Sequence, residues 1–206
     1  MDLSRFKSGS DIRGYALGDE SNPLYMSDDM VMRCCAAFVN WLKTRTGKDK
    51  LYISDRRPPL GGGEPPRRPP GGDAKNPKPA AERIKAAAVK ALTSHGVSVA
   101  DCSLCSTPAM FMTTVEMGCD GAVQITASHH PKDRNGLKFF TRDGGLDGSD
   151  IADILRAAAE LPDTIGSEEG ECVECGFMKR YAELLRNMII EGVDSESDRL
   201  CIRCAR

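Results

Sequence analysis

Val31, Cys34, Cys35, Phe38, Val39 and Leu42 follow the i, i+3, i+4, i+7, i+8, i+11 spacing of one helical face. That spacing predicts a helix over about Met30 to Thr44. Ser27 is its N-cap, Asp28 and Asp29 suit the positive end of the dipole, and Gly47 is its stop. Leu51-Tyr52-Ile53 then opens as a short buried strand. Helical periodicity returns at Ala80, with Ile84, Ala88 and Leu92 on one stripe and Gly96 at the stop. Val97 to Leu104 reads as a strand, and Thr107-Pro108 opens a helix running to about Met117, its proline in the tolerated first turn. Gly121 to Thr126 and Gly136 to Thr141 are two further strands. Ser149 is expected to cap a helix carrying Ile151, Ile154, Leu155 and Ala158. A last helix, about Phe177 to Ile190, follows a glycine- and glutamate-rich linker around Gly166 to Gly170. Alternating helices and strands predict an α/β layered domain with a mostly parallel sheet.

One window interrupts this pattern. From Pro58 to Pro79, 13 of 22 residues are proline or glycine, which removes backbone donors and resists ordering. The expectation is a solvated insertion, although Pro66-Arg67-Arg68-Pro69 matches the bare P-x-x-P pattern of polyproline ligands. A net charge of -2 argues against a broadly basic nucleic-acid binder. No apolar run approaches the ~20 residues of a membrane span, and no secretory h-region follows Met1. The nine cysteines are therefore expected to be thiols in a reduced, cytoplasmic setting. Two C-x-x-C pairs, Cys172/Cys175 and Cys201/Cys204, have the spacing of a four-thiolate zinc site, with scattered thiols as the alternative. Cys102/Cys105 is a third such pair.

The segment richest in chemistry is Thr126-Ala127-Ser128-His129-His130-Pro131, followed by Asn135-Gly136-Leu137-Lys138. It sets a serine beside two of the three histidines in a small polar loop after a strand. Asn135-Gly136 is a tight-turn signal that would fold the chain back and bring Lys138 towards the loop. A hydroxyl with imidazole and ammonium nearby suits a nucleophile with acid/base and charge-stabilising partners. An ordinary surface turn has the same composition, and spacing alone leaves both readings open.

These residues resemble the phosphoserine loop of the α-D-phosphohexomutases, the phosphoglucomutase/phosphomannomutase family. Ser8-Gly9-Ser10-Asp11-Ile12-Arg13-Gly14 resembles that family's N-terminal S-D-I-R-G signature, and Ser106-Thr107-Pro108-Ala109 its S-T-P segment. Gly144-Gly145 matches the turn after the lysine-bearing strand. The resemblance implies a three-layer α/β/α domain with a mixed, mostly parallel sheet, spanning residues 1–57 and 80–165 around the 58–79 insertion. Residues 166–206 would be linker, helix and the start of a second domain.

By that resemblance, Ser128 is the serine phosphorylated in the active enzyme, exchanging its phosphoryl group with hexose phosphate and hexose bisphosphate. Its phosphate would also help bind Mg²⁺. Arg13 and Lys138 match basic residues that assist proton movement and neutralise charge, and His129 matches the histidine beside the nucleophile. Ser10 and Asn135 match substrate-side positions. Phosphoryl transfer is largely positioning and charge neutralisation, work suited to these residue types. There are departures. His130 stands where asparagine is commoner, and Leu51–Arg57 stands where the family has a G-R-D-S-R type motif. The D-G-D-x-D metal loop of the family's second domain does not occur, so the chain alone is expected to be incomplete and possible self-association would follow from an uncovered interdomain face. A non-catalytic interaction module derived from the same domain is the alternative.

Overall fold

The computed structural model describes residues 2–57, 77–131, 133–162 and 166–192. In chain order its elements begin with β1 (Lys7–Ser8), β2 (Asp11–Tyr15), α1 (Asp28–Thr46), β3 (Tyr52–Arg57) and α2 (Pro77–Ser94). They continue with β4 (Ser98–Leu104), α3 (Thr107–Glu116), β5 (Gly121–Ile125), β6 (Arg134–Thr141) and β7 (Gly144–Gly145). The last are α4 (Gly148–Glu160), β8 (Cys172–Glu174) and α5 (Phe177–Gly192). The proline/glycine insertion and its P-x-x-P match lie almost wholly outside the described residues, as do Cys201 and Cys204.

The helices end where their caps dictate. Ser27 accepts the Met30 amide at 3.2 Å, and Gly47 closes α1 at φ 66°, a left-handed conformation that glycine adopts without a Cβ clash. Ser106 caps α3 through the Ala109 amide at 3.3 Å. The start of α4 differs from expectation, because Asp147 rather than Ser149 is the N-cap. Its carboxylate accepts the Ser149 and Asp150 amides at 2.7 and 2.9 Å, while Asp150 reaches back to the Asp147 amide at 3.2 Å. A carboxylate two residues upstream meets the orphan amides that the hydroxyl of Ser149 cannot reach, and that hydroxyl donates to Asp147 instead.

The strands form one mixed sheet in the order β1-β2-β6-β5-β3-β4-β8, with β7 beside β6. β5, β3, β4 and β8 run parallel, joined by helical crossovers. β6, β2, β1 and β7 are antiparallel additions. The antiparallel share arises because the chain returns from β5 straight into β6 without a helix. The last strand, β8, falls in the stretch read as linker. It is only three exposed residues between Gly170 and Gly176, too short to leave a period-2 signal.

One face of the sheet packs Ile12, Ile53, Val123, Ile125 and Phe139 against α1, α2 and α4. Phe38 of α1 meets Phe139 with ring centroids 4.4 Å apart, both side chains fully buried. Each such ring contributes about 1.5–3 kcal/mol through burial. The other face packs Cys102, Ala122 and Phe140 against α3 and Phe177 of α5. The architecture is thus α/β/α, and its sheet carries the loop after β5 and the strand β2 side by side at one end.

Candidate active site

The expected hairpin at Asn135-Gly136 is absent. Both residues lie inside β6, where Asn135 pairs with Gly14 and Gly136 with Arg13. The reversal happens earlier, with the His130 amide donating to the Ala127 carbonyl and the Arg134 amide to that of Pro131, each at 3.0 Å. Gly136 is small for another reason. A Cβ there would sit 2.4 Å from the Ile12 carbonyl oxygen and 2.5 Å from Arg13 Cδ, so a side chain would collide with the arginine that crosses over it. Asn135 is buried, and its side-chain oxygen accepts the Gly136 amide at 2.9 Å.

Ser128 sits at the tip of the reversal with φ 55°. A non-glycine residue in this left-handed region carries strain of about 1 kcal/mol or more and persists only when its surroundings enforce it. Here the enforcement is visible. Thr126, buried at the end of β5, accepts the Ser128 amide on its hydroxyl at 3.0 Å, and its own amide donates to the Gly136 carbonyl at 3.0 Å. Ser128 and His129 are exposed, with Ser128 Oγ 3.2 Å from His129 Nδ1.

Beneath the loop lies a chain of charge. Arg13, only 6% exposed, donates from Nη1 to the Thr126 carbonyl and from Nη2 to Asp11 at 2.7 Å. The other Asp11 oxygen takes the Lys138 ammonium at 2.6 Å. One carboxylate therefore links the two cations, and the arginine ties that pair to the base of the Ser128 loop. Asp11 had no role in the sequence expectations. Its signal was present, because residues two apart on a strand share a face and a carboxylate there stands beside its arginine. Gln124, paired with Lys138 in the β5–β6 ladder and 1% exposed, has a side-chain oxygen without a partner among the described residues. Ser10 is exposed at the turn between β1 and β2.

His129 and His130 stack with centroids 4.7 Å apart. The His130 pKa falls below its ordinary 6.5, first from partial desolvation, then from the neighbouring His129, Arg13 and Arg134, with Asp11 opposing.

The donor set does not by itself make a magnesium site. Among the described residues no three His, Cys, Asp or Glu side chains converge on a possible ion, and both oxygens of Asp11 are taken by cations. Ser128 would contribute one oxygen only. The zinc expectation also meets an obstacle. Cys172 pairs with Val99 and is exposed, whereas Cys175 turns to the opposite face and packs against Cys102 and Cys105. Residues three apart on a strand diverge in this way.

A strained, exposed serine thus stands at the loop that a buried arginine ties to a carboxylate and a half-buried lysine, on an α/β/α sheet. Residues 71–163 match the family model for the phosphoglucomutase/phosphomannomutase α/β/α domain I. The chain is 37% identical over 99 residues to phosphoglucosamine mutase of Corynebacterium jeikeium (48% of this chain, 22% of that protein). It is 33% identical over 129 residues to phosphoglucosamine mutase of Thermoanaerobacter sp. strain X514 (60% of this chain, 28% of that protein). A crystal structure of a phosphoglucomutase/phosphomannomutase family protein from Burkholderia thailandensis superposes with a TM-score of 0.61 at 20% identity, over 89% of this chain and 35% of that one. Over residues 71–163 the chain is thus similar to the α/β/α domain I of the phosphoglucomutase/phosphomannomutase family, and its fold is that of the solved family member. Its matched stretches span about a quarter of the length of these mutase relatives.

Proposed function

We propose that Ser128 carries a phosphoryl group in a phosphohexomutase reaction on hexose phosphates. The observation that carries this reading is the Arg13–Asp11–Lys138 chain anchored through Thr126 under the strained, exposed serine. Loading from a hexose bisphosphate forms the bond from Ser128 Oγ to phosphorus and breaks the phosphorus–oxygen bond to the sugar. The serine proton goes to His129 Nδ1, 3.2 Å away, and the sugar oxygen leaves as part of the monophosphate. Transfer in the opposite sense, to the other end of a bound hexose monophosphate, returns the serine to its free form. Lys138 and Arg13 oppose the charge of the dianion, because a guanidinium and an ammonium fixed by one carboxylate cannot swing away from it. Ser10, exposed at the neighbouring turn, would meet the substrate, and Asn135 would hold the β6 backbone on which Lys138 stands.

The same reading takes residues 1–57 and 80–165 as the mutase domain, to whose sheet and core β8 and Phe177 also add, with a cytoplasmic setting. None of the described helices is long and apolar enough to cross a membrane. Met188, Ile189 and Ile190, all exposed on α5, support self-association, which sedimentation velocity at rising concentration would test; a constant monomer removes it.

The central experiment is incubation of the chain with glucose 1,6-bisphosphate followed by intact mass. Wild type is expected to gain one phosphoryl group, located at Ser128 by peptide mapping, and S128A none. Folded wild type without the mass gain, or S128A that gains it equally, overturns the proposal.

A further inference from the structure

Three of the nine cysteines meet on the α3 face of the sheet, far from the role proposed for Ser128. Cys102 and Cys105 belong to β4 and its end, and a regular strand would send residues three apart to opposite faces. Ser103, at φ 53°, breaks the alternation, with the Asp101 carboxylate accepting its amide at 2.9 Å. Both thiols are consequently buried in the same cluster, each 2% exposed. Cys175 arrives from the neighbouring chain segment. Asp101 pairs with Glu174 in the parallel β4–β8 ladder, and the Cys175 amide donates to the Asp101 carbonyl at 2.6 Å. Cys102 and Cys175 are therefore the next lateral neighbours across adjacent strands, with backbones about 4.8 Å apart. That separation lies inside the range a disulfide spans. Their side chains leave the same face and enter one cluster, in which Cys175 packs against the buried Cys102.

The surroundings distinguish the two members of the pair. Cys102 is sealed under α3, whereas Cys175 is half-buried at the sheet edge and touches Met117 sulfur at 3.8 Å. Cys105, in the same cluster, also faces Met110 sulfur at 3.2 Å. No three metal-ligating side chains converge among the described residues, so the cluster offers a pair of thiols rather than an ion cage.

We propose that Cys102 and Cys175 are an oxidisable dithiol, converted by a hydroperoxide into a disulfide that ties the edge strand β8 to β4. In the first step the solvent-reachable Cys175 thiol gives up its proton and its sulfur attacks the peroxide, breaking the oxygen–oxygen bond; a sulfenic acid forms and, for hydrogen peroxide, the leaving hydroxide takes that proton as one water. In the second, the Cys102 sulfur attacks the sulfenic sulfur; the new sulfur–sulfur bond replaces the sulfur–oxygen bond, and a second water leaves with the Cys102 proton. Two thiols lose two electrons and two protons, and the peroxide is reduced to two waters. Burial, first among its causes, raises the Cys102 pKa, which suits the resolving role and not that of first attacker. The bond would fix β8, and with it the start of α5, to its neighbour β4. Without it, β8 rests on a three-residue ladder.

The test uses the full chain. Hydrogen peroxide treatment of the folded protein, alkylation of remaining thiols, proteolysis and mass spectrometry are expected to yield a linked peptide pair containing Cys102 and Cys175. The product should have lost two alkylatable thiols and regain them with dithiothreitol. The C201S/C204S variant should keep the link, and C175S should leave Cys102 alkylatable. Linkage of Cys102 to Cys105 or to any other cysteine overturns the proposal. So does full alkylation of Cys102 and Cys175 after oxidation, or their accumulation as sulfinic acids.

Discussion

Replacing Arg13 by methionine removes the guanidinium while leaving an unbranched stem in a site only 6% exposed. Two bonds are lost, one to the Thr126 carbonyl and one to Asp11 at 2.7 Å. Breaking a buried, hydrogen-bonded ion pair from one side costs about 3–5 kcal/mol. Asp11 keeps Lys138 at 2.6 Å, so its charge is not stranded, and the loss should sit near the lower bound, about 3 kcal/mol. At about 2–4 °C per kcal/mol for a chain of this size, the midpoint of thermal unfolding should fall by about 6–12 °C. Urea unfolding can be followed through Trp41, the one tryptophan of the chain, which is half-buried and stacks against the core residue Phe38 at 6.1 Å. A double-mutant cycle with D11N isolates the pair from general damage. R13K should recover only part of the loss, because an ammonium cannot reproduce a planar fork that grips a carbonyl and a carboxylate together. A loss below about 1 kcal/mol for R13M, on the scale of one ordinary hydrogen bond, would refute the reasoning, as would R13K matching wild type.

Three further outcomes follow from the same geometry. G136A should destabilise by about 1–3 kcal/mol, the usual cost of overpacking, and reduce phosphoryl loading of Ser128, because the new methyl meets Arg13 Cδ and the Ile12 carbonyl; equal denaturation midpoints would contradict it. S128G should unfold at a higher denaturant midpoint, by up to about 1 kcal/mol, since glycine adopts φ 55° freely, yet take no phosphoryl group; a lower midpoint would show that the loop is not strained there. His130 should titrate by NMR below 6.5, and H129A should shift that midpoint upward by removing one neighbouring charge. Because the folded state binds this proton less readily than the unfolded chain, the His130 contribution to stability is lost as pH falls from 6.5 towards the lowered value. An unshifted midpoint in both proteins would remove that linkage.

The helices were legible because their signals are local. Ser27 and Gly47 bracket α1 in the sequence as they do in space, and the predicted ends fall two residues inside the observed ones. Ser128 was legible as an exposed loop serine for the same reason, while Lys138 stands on β6 beside Gln124 and bonds Asp11. The route from one to the other was not. Asn135-Gly136 carries the dipeptide of a tight turn, but the glycine is there to admit Arg13 from a strand more than a hundred positions away, and no local pattern encodes that approach. β2 itself was hidden, since a five-residue strand with a buried arginine and glycine breaks the alternation on which strand prediction depends. Asp11 went unassigned because its value lies in joining Arg13 to Lys138, a relation fixed only when β2 pairs with β6. Asp147 displaced Ser149 as a cap because two good capping residues stand two apart, and only backbone geometry selects between them.

The pairing of β2 with β6 also bears on the order in which the molecule is assembled. The bond from Lys138 to Asp11 spans 127 positions and that from Arg13 to Thr126 spans 113, so both demand closure of a long loop. The β5–β6 reversal that displays Ser128 closes over a few residues and can form early. A newly made chain would therefore expose its serine before the cations that oppose a phosphate are in place. Under the phosphoryl role proposed for Ser128, competence would arrive as a late step of folding, and a chain that unzips only β2 from β6 would lose it while most of its core persists.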